Sequence, residues 1–80
     1  MKMEVSAKYA IAKIKRNIEK DKYSRGENVL DGLYEYYIRE DEVESIIKSV
    51  NKWLDKNYPY YNKYDLSDIE FFKRLLNGCF

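Results

Sequence analysis

Histidine is absent from the 80 residues, and the only cysteine is Cys79. Without histidine, the chain lacks the usual general base at neutral pH and the commonest transition-metal ligand. One thiol builds neither an internal disulfide nor a zinc site, and no activating neighbour of Cys79 is evident in the sequence. These absences predict a protein that is not an enzyme and carries no metal or other cofactor.

Glycine and proline are scarce, with three and one copies. Glycine-rich phosphate loops are missing, which excludes nucleotide binding of the P-loop or Rossmann kind. No apolar run approaches the roughly 18 residues of a membrane span, and no signal peptide is recognised. We therefore expect a protein that does not associate with membranes. A reducing compartment is the simplest explanation of a single unpaired cysteine, so the predicted location is the cytoplasm.

The composition favours a folded helical chain over a disordered one. Apolar residues make up 45% and charged residues 36%, with frequent Lys, Glu, Ile, Leu and Ala. Residues 1–80 are long enough for one helical domain with a modest core. A chain of this size buries only roughly 60–65% of its unfolded surface, so its stability is marginal unless a partner helps.

Apolar residues recur at three- and four-residue steps in four segments, as is typical of amphipathic helices. The predicted fold is a small all-α bundle of four helices at about 4–22, 28–38, 42–56 and 68–77. The first helix is expected to end at Arg25-Gly26. Gly32 lies inside the second and costs about 1 kcal/mol relative to alanine, either admitting a neighbouring helix or being tolerated.

The second and third segments differ in register. Continuing the second apolar stripe would require apolar residues where Glu40 and Asp41 stand. Asp41 is a predicted N-cap, and Glu44 is its partner in a weaker variant of the capping box. The alternative is three helices, with the second and third fused into one bent helix from 28 to 56.

The fourth segment has the strongest local start signal. Ser67 is the predicted N-cap and Glu70 completes the capping box, while Leu66 and Phe71 occupy the positions of a hydrophobic staple. Asn77-Gly78 is the predicted stop. Period-2 alternation does not persist anywhere in the chain, so no strands are predicted.

Charge is unevenly distributed despite a net charge of +1. Residues 1–25 carry eight basic and three acidic side chains, whereas residues 26–44 carry one basic and seven acidic. We expect the basic first helix to lie beside the acidic segment. Exposed ion pairs contribute only about 0–1 kcal/mol each but help to set orientation.

The stretch "YPYYNKY", residues 58–64, places four tyrosines in a connection that Pro59 opens. Tyrosine buries its ring while its hydroxyl stays wet, and it is a low-entropy contact residue at interfaces. Packing over the end of the core and presentation to a partner are both open. The loop holds more aromatic area than it needs, so we expect some of its rings to be exposed. Tyr60 follows Pro59 and belongs to neither helix stripe, so it is expected to be exposed, whereas Tyr64, two residues before Leu66, is expected to be packed. The predicted partner-binding residues are Tyr58, Tyr60, Tyr61 and Tyr64.

Three functions compete. The favoured one is a small intracellular protein–protein interaction module, of the kind represented by inhibitors, antitoxins, immunity proteins and phage-type regulatory proteins. The alternative is a nucleic-acid-binding regulator that contacts phosphates through Lys13, Arg16 and Lys20 on the first helix and stacks bases on the tyrosine-rich loop. The third is a structural subunit that completes its core as a homodimer.

Overall fold

Three α-helices make up most of the residues that the computed structural model describes, which are 3–20 and 26–77. The elements in chain order are β1 (Met3–Glu4), α1 (Ala7–Lys20), a 3-10 helix (Gly26–Leu30), β2 (Tyr36–Tyr37), α2 (Glu40–Asn57) and α3 (Leu66–Asn77). The predicted all-α class is confirmed, because helix dominates and each strand has two residues. None of the described helices is long and apolar enough to cross a membrane.

Helix α1 begins three residues later than predicted. The Ser6 hydroxyl accepts a hydrogen bond from the Tyr9 N–H at 3.3 Å, and the Ser6 carbonyl accepts one from Ala10 at 3.1 Å, so Ser6 is the N-cap. Met3–Glu4 lies outside the helix because it pairs in parallel with Tyr36–Tyr37. The predicted end at residues 25–26 lies partly outside the described residues.

The predicted helix at 28–38 is wrong. After the 3-10 helix, the backbone continues through successive turns, in which the N–H groups of Leu33 and Tyr36 donate to the carbonyls of Leu30 and Leu33 at 2.9 and 3.1 Å. The chain then enters β2. The buried aliphatic side chains of the segment are nevertheless those that the apolar pattern marks: Val29, Leu30, Leu33 and Ile38.

Two residues explain why this segment forms turns. Gly32 has a φ of +86°, a left-handed conformation that no residue inside an α-helix adopts and that glycine tolerates best. The Asn17 side chain donates from α1 to the carbonyls of Val29 and Asp31 at 2.8 and 3.0 Å. Those carbonyls are thereby satisfied without an α-helical ladder, and the segment is fastened to α1.

Helix α2 is separate from the preceding segment, so the break predicted at residues 40–41 is confirmed and the bent helix from 28 to 56 is wrong. The predicted cap is also wrong. The N-cap is Arg39, whose side chain makes no capping bond, and Asp41 lies in the first turn, where its carboxylate accepts from the Glu42 N–H at 3.0 Å. Three acidic residues in this turn complement the helix dipole.

Helix α3 begins at Leu66, and its cap, Asp65, lies two residues before the predicted cap Ser67. Asp65 and Asp68 form a reciprocal box, in which each backbone N–H donates to the other's carboxylate at 3.0 Å. Ser67 therefore lies inside the helix. The predicted hydrophobic staple is wrong as well, since Leu66 is 71% exposed and Phe71 is 43% exposed.

The core lies around α2, which packs against α1 on one side and α3 on the other. The 3-10 helix contacts both α1 and α3 and closes the arrangement. The buried residues of the three α-helices are Ala10, Ile14, Ile18, Val43, Ile46, Ile47, Val50, Leu54, Ile69, Phe72 and Leu76. Burying one of the larger of these side chains contributes about 1.5–3 kcal/mol to the free energy of folding. The α1 and α2 stripes therefore supply much of the stability.

The ion pairs are local. Helix α1 packs against the 3-10 helix, but none of the carboxylates that the structure describes within 28–44 lies within 4 Å of a basic group of α1. The pairs that form lie within or next to α2 and α3, as between Lys48 and Glu44 at 3.4 Å. Among the described side chains, close ion pairs therefore do not join α1 to the acidic segment. The Asn17 bonds and apolar contacts hold it there.

Candidate interaction surface

A tight turn at the end of α2 decides where the loop tyrosines point. The Tyr58 N–H donates to the Leu54 carbonyl at 2.7 Å and ends the helix, and the Tyr61 N–H donates to the Tyr58 carbonyl at 2.9 Å. Pro59 occupies the second position of this four-residue turn, which its fixed φ favours. Tyr60 stands at the tip and is 77% exposed, as the sequence predicts.

Two of the four tyrosines belong to the core side of the loop. Tyr64 is only 4% exposed, and its ring meets Phe72 edge to face with centroids 5.3 Å apart. The Tyr61 ring lies 6.5 Å from that of Tyr64, and the two hydroxyls are 3.5 Å apart. The prediction that Tyr64 packs inward is confirmed, and Tyr61 packs partly with it.

The other two tyrosines join a tryptophan at the surface. The rings of Trp53 and Tyr58 are 5.4 Å apart at 68°, and those of Tyr58 and Tyr60 are 6.4 Å apart at 88°. The ammonium of Lys15, from α1, lies 5.6 Å from the centroid of the Trp53 ring. We call these four residues, Lys15, Trp53, Tyr58 and Tyr60, the aromatic surface.

The contacts within the aromatic surface hold its rings in fixed relative positions. Edge-to-face ring pairs contribute about 0.5–1.5 kcal/mol beyond area burial, and an exposed cation–π contact about 0.5–1 kcal/mol. Trp53 and Tyr58 are half-buried against the core, so Tyr60 is the member that projects furthest. The structure thus places Tyr60 outward and Tyr64 inward, while Tyr58 and Tyr61 are both partly buried.

Sequence analysis missed Trp53 and Lys15 as members of this surface. Trp53 lies beside the apolar stripe of α2, which is a recognisable signal for a ring at the edge of the core. Nothing in the sequence links it to Lys15, which is 38 positions earlier and meets it only because α1 packs on α2.

The basic residues of α1 lie at two different edges of that helix. Lys15 is over Trp53, whereas the predicted nucleic-acid residue Lys13 crosses the turn at Gly32. A Cβ added to Gly32 would lie 2.5 Å from Cε of Lys13. Arg16 and Lys20 are exposed. Lys13 therefore takes part in packing, and the three predicted residues are not equally available.

A pair of tyrosines lies near Lys13. The rings of Tyr9 and Tyr36 meet at 65° with centroids 5.7 Å apart. A hydrogen bond with the Tyr9 hydroxyl raises the pKa of Tyr36 above its usual value, and the charge that Tyr9 carries when ionised adds to the effect.

No group of three or more potential metal-ligating side chains comes together within residues 3–20 and 26–77. Cys79 lies outside these residues. The chain matches no protein-family model, no curated protein and no solved structure at a significant level.

Proposed function

We propose that the chain is a small non-enzymatic protein–protein interaction module, an inhibitor, antitoxin, immunity or phage-type regulatory protein in kind, and that it binds its partner through the aromatic surface. The observation that supports this most directly is the position of Tyr60. Its ring stands at the tip of a proline-stabilised turn, exposed, and is held edge to face by a partly buried neighbour.

This arrangement suits a protein interface. Tyrosine and tryptophan are the side chains most often found at interface positions that dominate affinity. A ring that is already positioned loses little conformational freedom on binding, so more of the contact energy appears as affinity. Tyr58 supports Tyr60, and Trp53 supports Tyr58 in turn; both are partly exposed.

The test is partner capture with two matched variants. Tyr60→Ala removes an exposed ring from the aromatic surface, whereas Leu66→Ala removes an exposed apolar side chain from α3. Affinity-tagged protein is exposed to an extract of the native host after nuclease treatment. We expect Tyr60→Ala to weaken capture of the protein partner by about 2 kcal/mol or more, and Leu66→Ala to leave it unchanged.

The same experiment also has an outcome that would reject the proposed binding site. Equal capture by wild type and Tyr60→Ala would reject the aromatic surface as the binding site. Tyr60→Phe separates the roles of the ring and the hydroxyl, since it keeps the ring.

The second candidate function is nucleic-acid binding through Lys13, Arg16 and Lys20. One observation favours it: none of the carboxylates that the structure describes lies within 4 Å of a basic group of α1. The tyrosine-rich loop supports it less, because neighbouring rings of the aromatic surface are steeply tilted to each other. They offer no parallel faces on which successive bases could stack.

Charge reversal tests this candidate. Changing Lys13, Arg16 and Lys20 to Glu should abolish binding to DNA or RNA, and wild-type affinity should fall steeply with salt. Lys52→Glu with Lys56→Glu, two exposed cations of α2, is the control. Absence of binding to any nucleic acid at low salt would eliminate the candidate.

A further inference from the structure

The edge of α1 that faces away from Trp53 carries a small hollow. Its lining consists of Tyr9, Ala12, Lys13 and Arg16, and its volume is about 240 Å³. Ala12 provides the floor with a short side chain, while the three longer side chains surround it. Sites for drug-sized ligands usually measure about 300–1,000 Å³, so this hollow suits a small group.

The hollow carries positive charge without a compensating acid. No carboxylate that the structure describes lies within 4 Å of Lys13 or Arg16. The described cations Lys52, Lys56 and Arg74 are also unpaired, but all three are exposed. Lys13 is also half-buried. A cation that is partly withdrawn from water usually gains a charged or hydrogen-bonding partner, so this site favours an anion.

Two of the three polar side chains are held in place before any ligand arrives. The alkyl chain of Lys13 lies across Gly32, close to where a Cβ would be. The Tyr9 ring packs edge to face against Tyr36, with the ring centroids 5.7 Å apart. Asn17 fastens the intervening turn to the same edge of α1 through two hydrogen bonds.

The Tyr9 hydroxyl is neutral near pH 7 and is able to donate a hydrogen bond to a ligand. Lys13 lies four residues after Tyr9 and three before Arg16, so all three donors share one helix edge.

We propose that Tyr9, Lys13 and Arg16 form a binding site for a phosphate group. Two positive charges match the charge of about −1.5 to −2 that a phosphate monoester carries near pH 7, and its oxygens accept from several donors at once. The guanidinium supplies a planar fork and the ammonium a point charge. This site goes beyond the proposed protein interface and gives the second candidate function a specific contact point.

The experiment is an NMR titration of the full chain with inorganic phosphate, followed through backbone amide shifts. We expect saturable shifts centred on residues 9–16. Arg16→Gln should weaken binding about tenfold, as expected for the loss of one charge-assisted hydrogen bond, and Lys13→Gln with Arg16→Gln should abolish it. Tyr9→Phe keeps the ring and should weaken binding severalfold.

The matched control is Lys52→Gln with Lys56→Gln, which removes two exposed cations one helical turn apart on α2. It should bind phosphate as wild type does. Shifts that fail to saturate, that are equally large around Lys52 and Lys56, or that persist in the Lys13/Arg16 double variant would overturn the proposal.

A second arm distinguishes the sources of the phosphate. A short oligothymidylate without terminal phosphate offers only phosphodiesters. If it shifts residues 9–16 at lower concentration than inorganic phosphate does, the site contacts a nucleic-acid backbone. If inorganic phosphate binds and the oligonucleotide does not, the site takes a phosphate monoester or free phosphate, and the second candidate function fails while the phosphate site remains.

Discussion

Asn51 and Tyr64 exchange two hydrogen bonds across the junction of α2 and the loop that leads to α3. The side-chain amide of Asn51 donates to the Tyr64 carbonyl at 2.8 Å, and its oxygen accepts from the Tyr64 N–H at 2.9 Å. The amide thus pairs with the backbone as a neighbouring strand would. This contact fixes the end of the loop while the Tyr58–Tyr61 turn fixes its start.

Asn51→Ala should destabilise the protein by about 1–3 kcal/mol. It leaves both backbone groups of Tyr64 without their partner in a partly buried place, and unmet hydrogen bonds there cost the desolvation of each group. Lys52→Ala, at the exposed neighbouring position of the same helix, is the control and should change stability by less than about 0.5 kcal/mol. Urea unfolding of both variants measures the difference. Equal midpoints would mean that water replaces the Asn51 bonds without loss.

The cap of α3 gives a sharp comparison between two neighbouring residues. Asp65→Ala removes the carboxylate that accepts from the Asp68 N–H and should cost about 0.5–2 kcal/mol. Ser67→Ala should be nearly neutral, because Ser67 lies within the helix and is exposed. Thermal unfolding followed by circular dichroism checks both. A larger loss from Ser67→Ala than from Asp65→Ala would restore the cap predicted from sequence.

The misplaced cap shows a limit of local sequence signals. Both Asp65 and Ser67 are followed three residues later by an acid, so both match a capping pattern. The staple positions differ: with the cap at Asp65 they are Tyr64 and Ile69, which are both buried. With the cap at Ser67 they are the more apolar Leu66 and Phe71, which are exposed. Tertiary packing against α2 decides between them, and local apolarity favours the wrong pair.

How far the fold could be predicted also depends on whether a feature has a local signal or arises from tertiary contacts. The stripes of α1, α2 and α3 were visible because each helix buries one regular face against the core. The segment 28–38 also has an apolar pattern, but Asn17 from α1 competes for its carbonyls. That long-range contact has no local signature.

The candidate surface was predictable in part. Pro59 placed Tyr60 at a turn tip by a local rule, so its exposure was foreseen. The support of Tyr60 by Trp53 and Lys15, and the hollow beside Tyr9, depend on how α1 meets α2 and the turn at Gly32.

Gly32→Ala should destabilise the protein for two separable reasons. The positive φ costs a non-glycine residue about 1–2 kcal/mol, and the new Cβ would meet Lys13. A double-mutant cycle with Lys13→Ala separates them, because removing the lysine side chain relieves the contact and leaves the φ cost. We expect Gly32→Ala to be less harmful in the Lys13→Ala background, as measured by urea unfolding. Strict additivity would show that the Lys13 side chain moves aside freely.

The two ends of the tyrosine-rich loop should respond differently to loss of a ring. Tyr64→Ala removes a ring that is 4% exposed and packs on Phe72, so it should destabilise the protein by about 3–5 kcal/mol. Tyr60→Ala removes a ring that is 77% exposed, so stability should change by less than about 0.5 kcal/mol. Urea unfolding measures both values, and partner capture is then compared only between variants that remain folded.

If Tyr60→Ala destabilises the protein as much as Tyr64→Ala does, the outward ring is a packing element, and its loss of partner capture would no longer identify a binding surface. If it leaves stability intact and abolishes capture, the exposed half of the loop binds the partner while the buried half holds the fold.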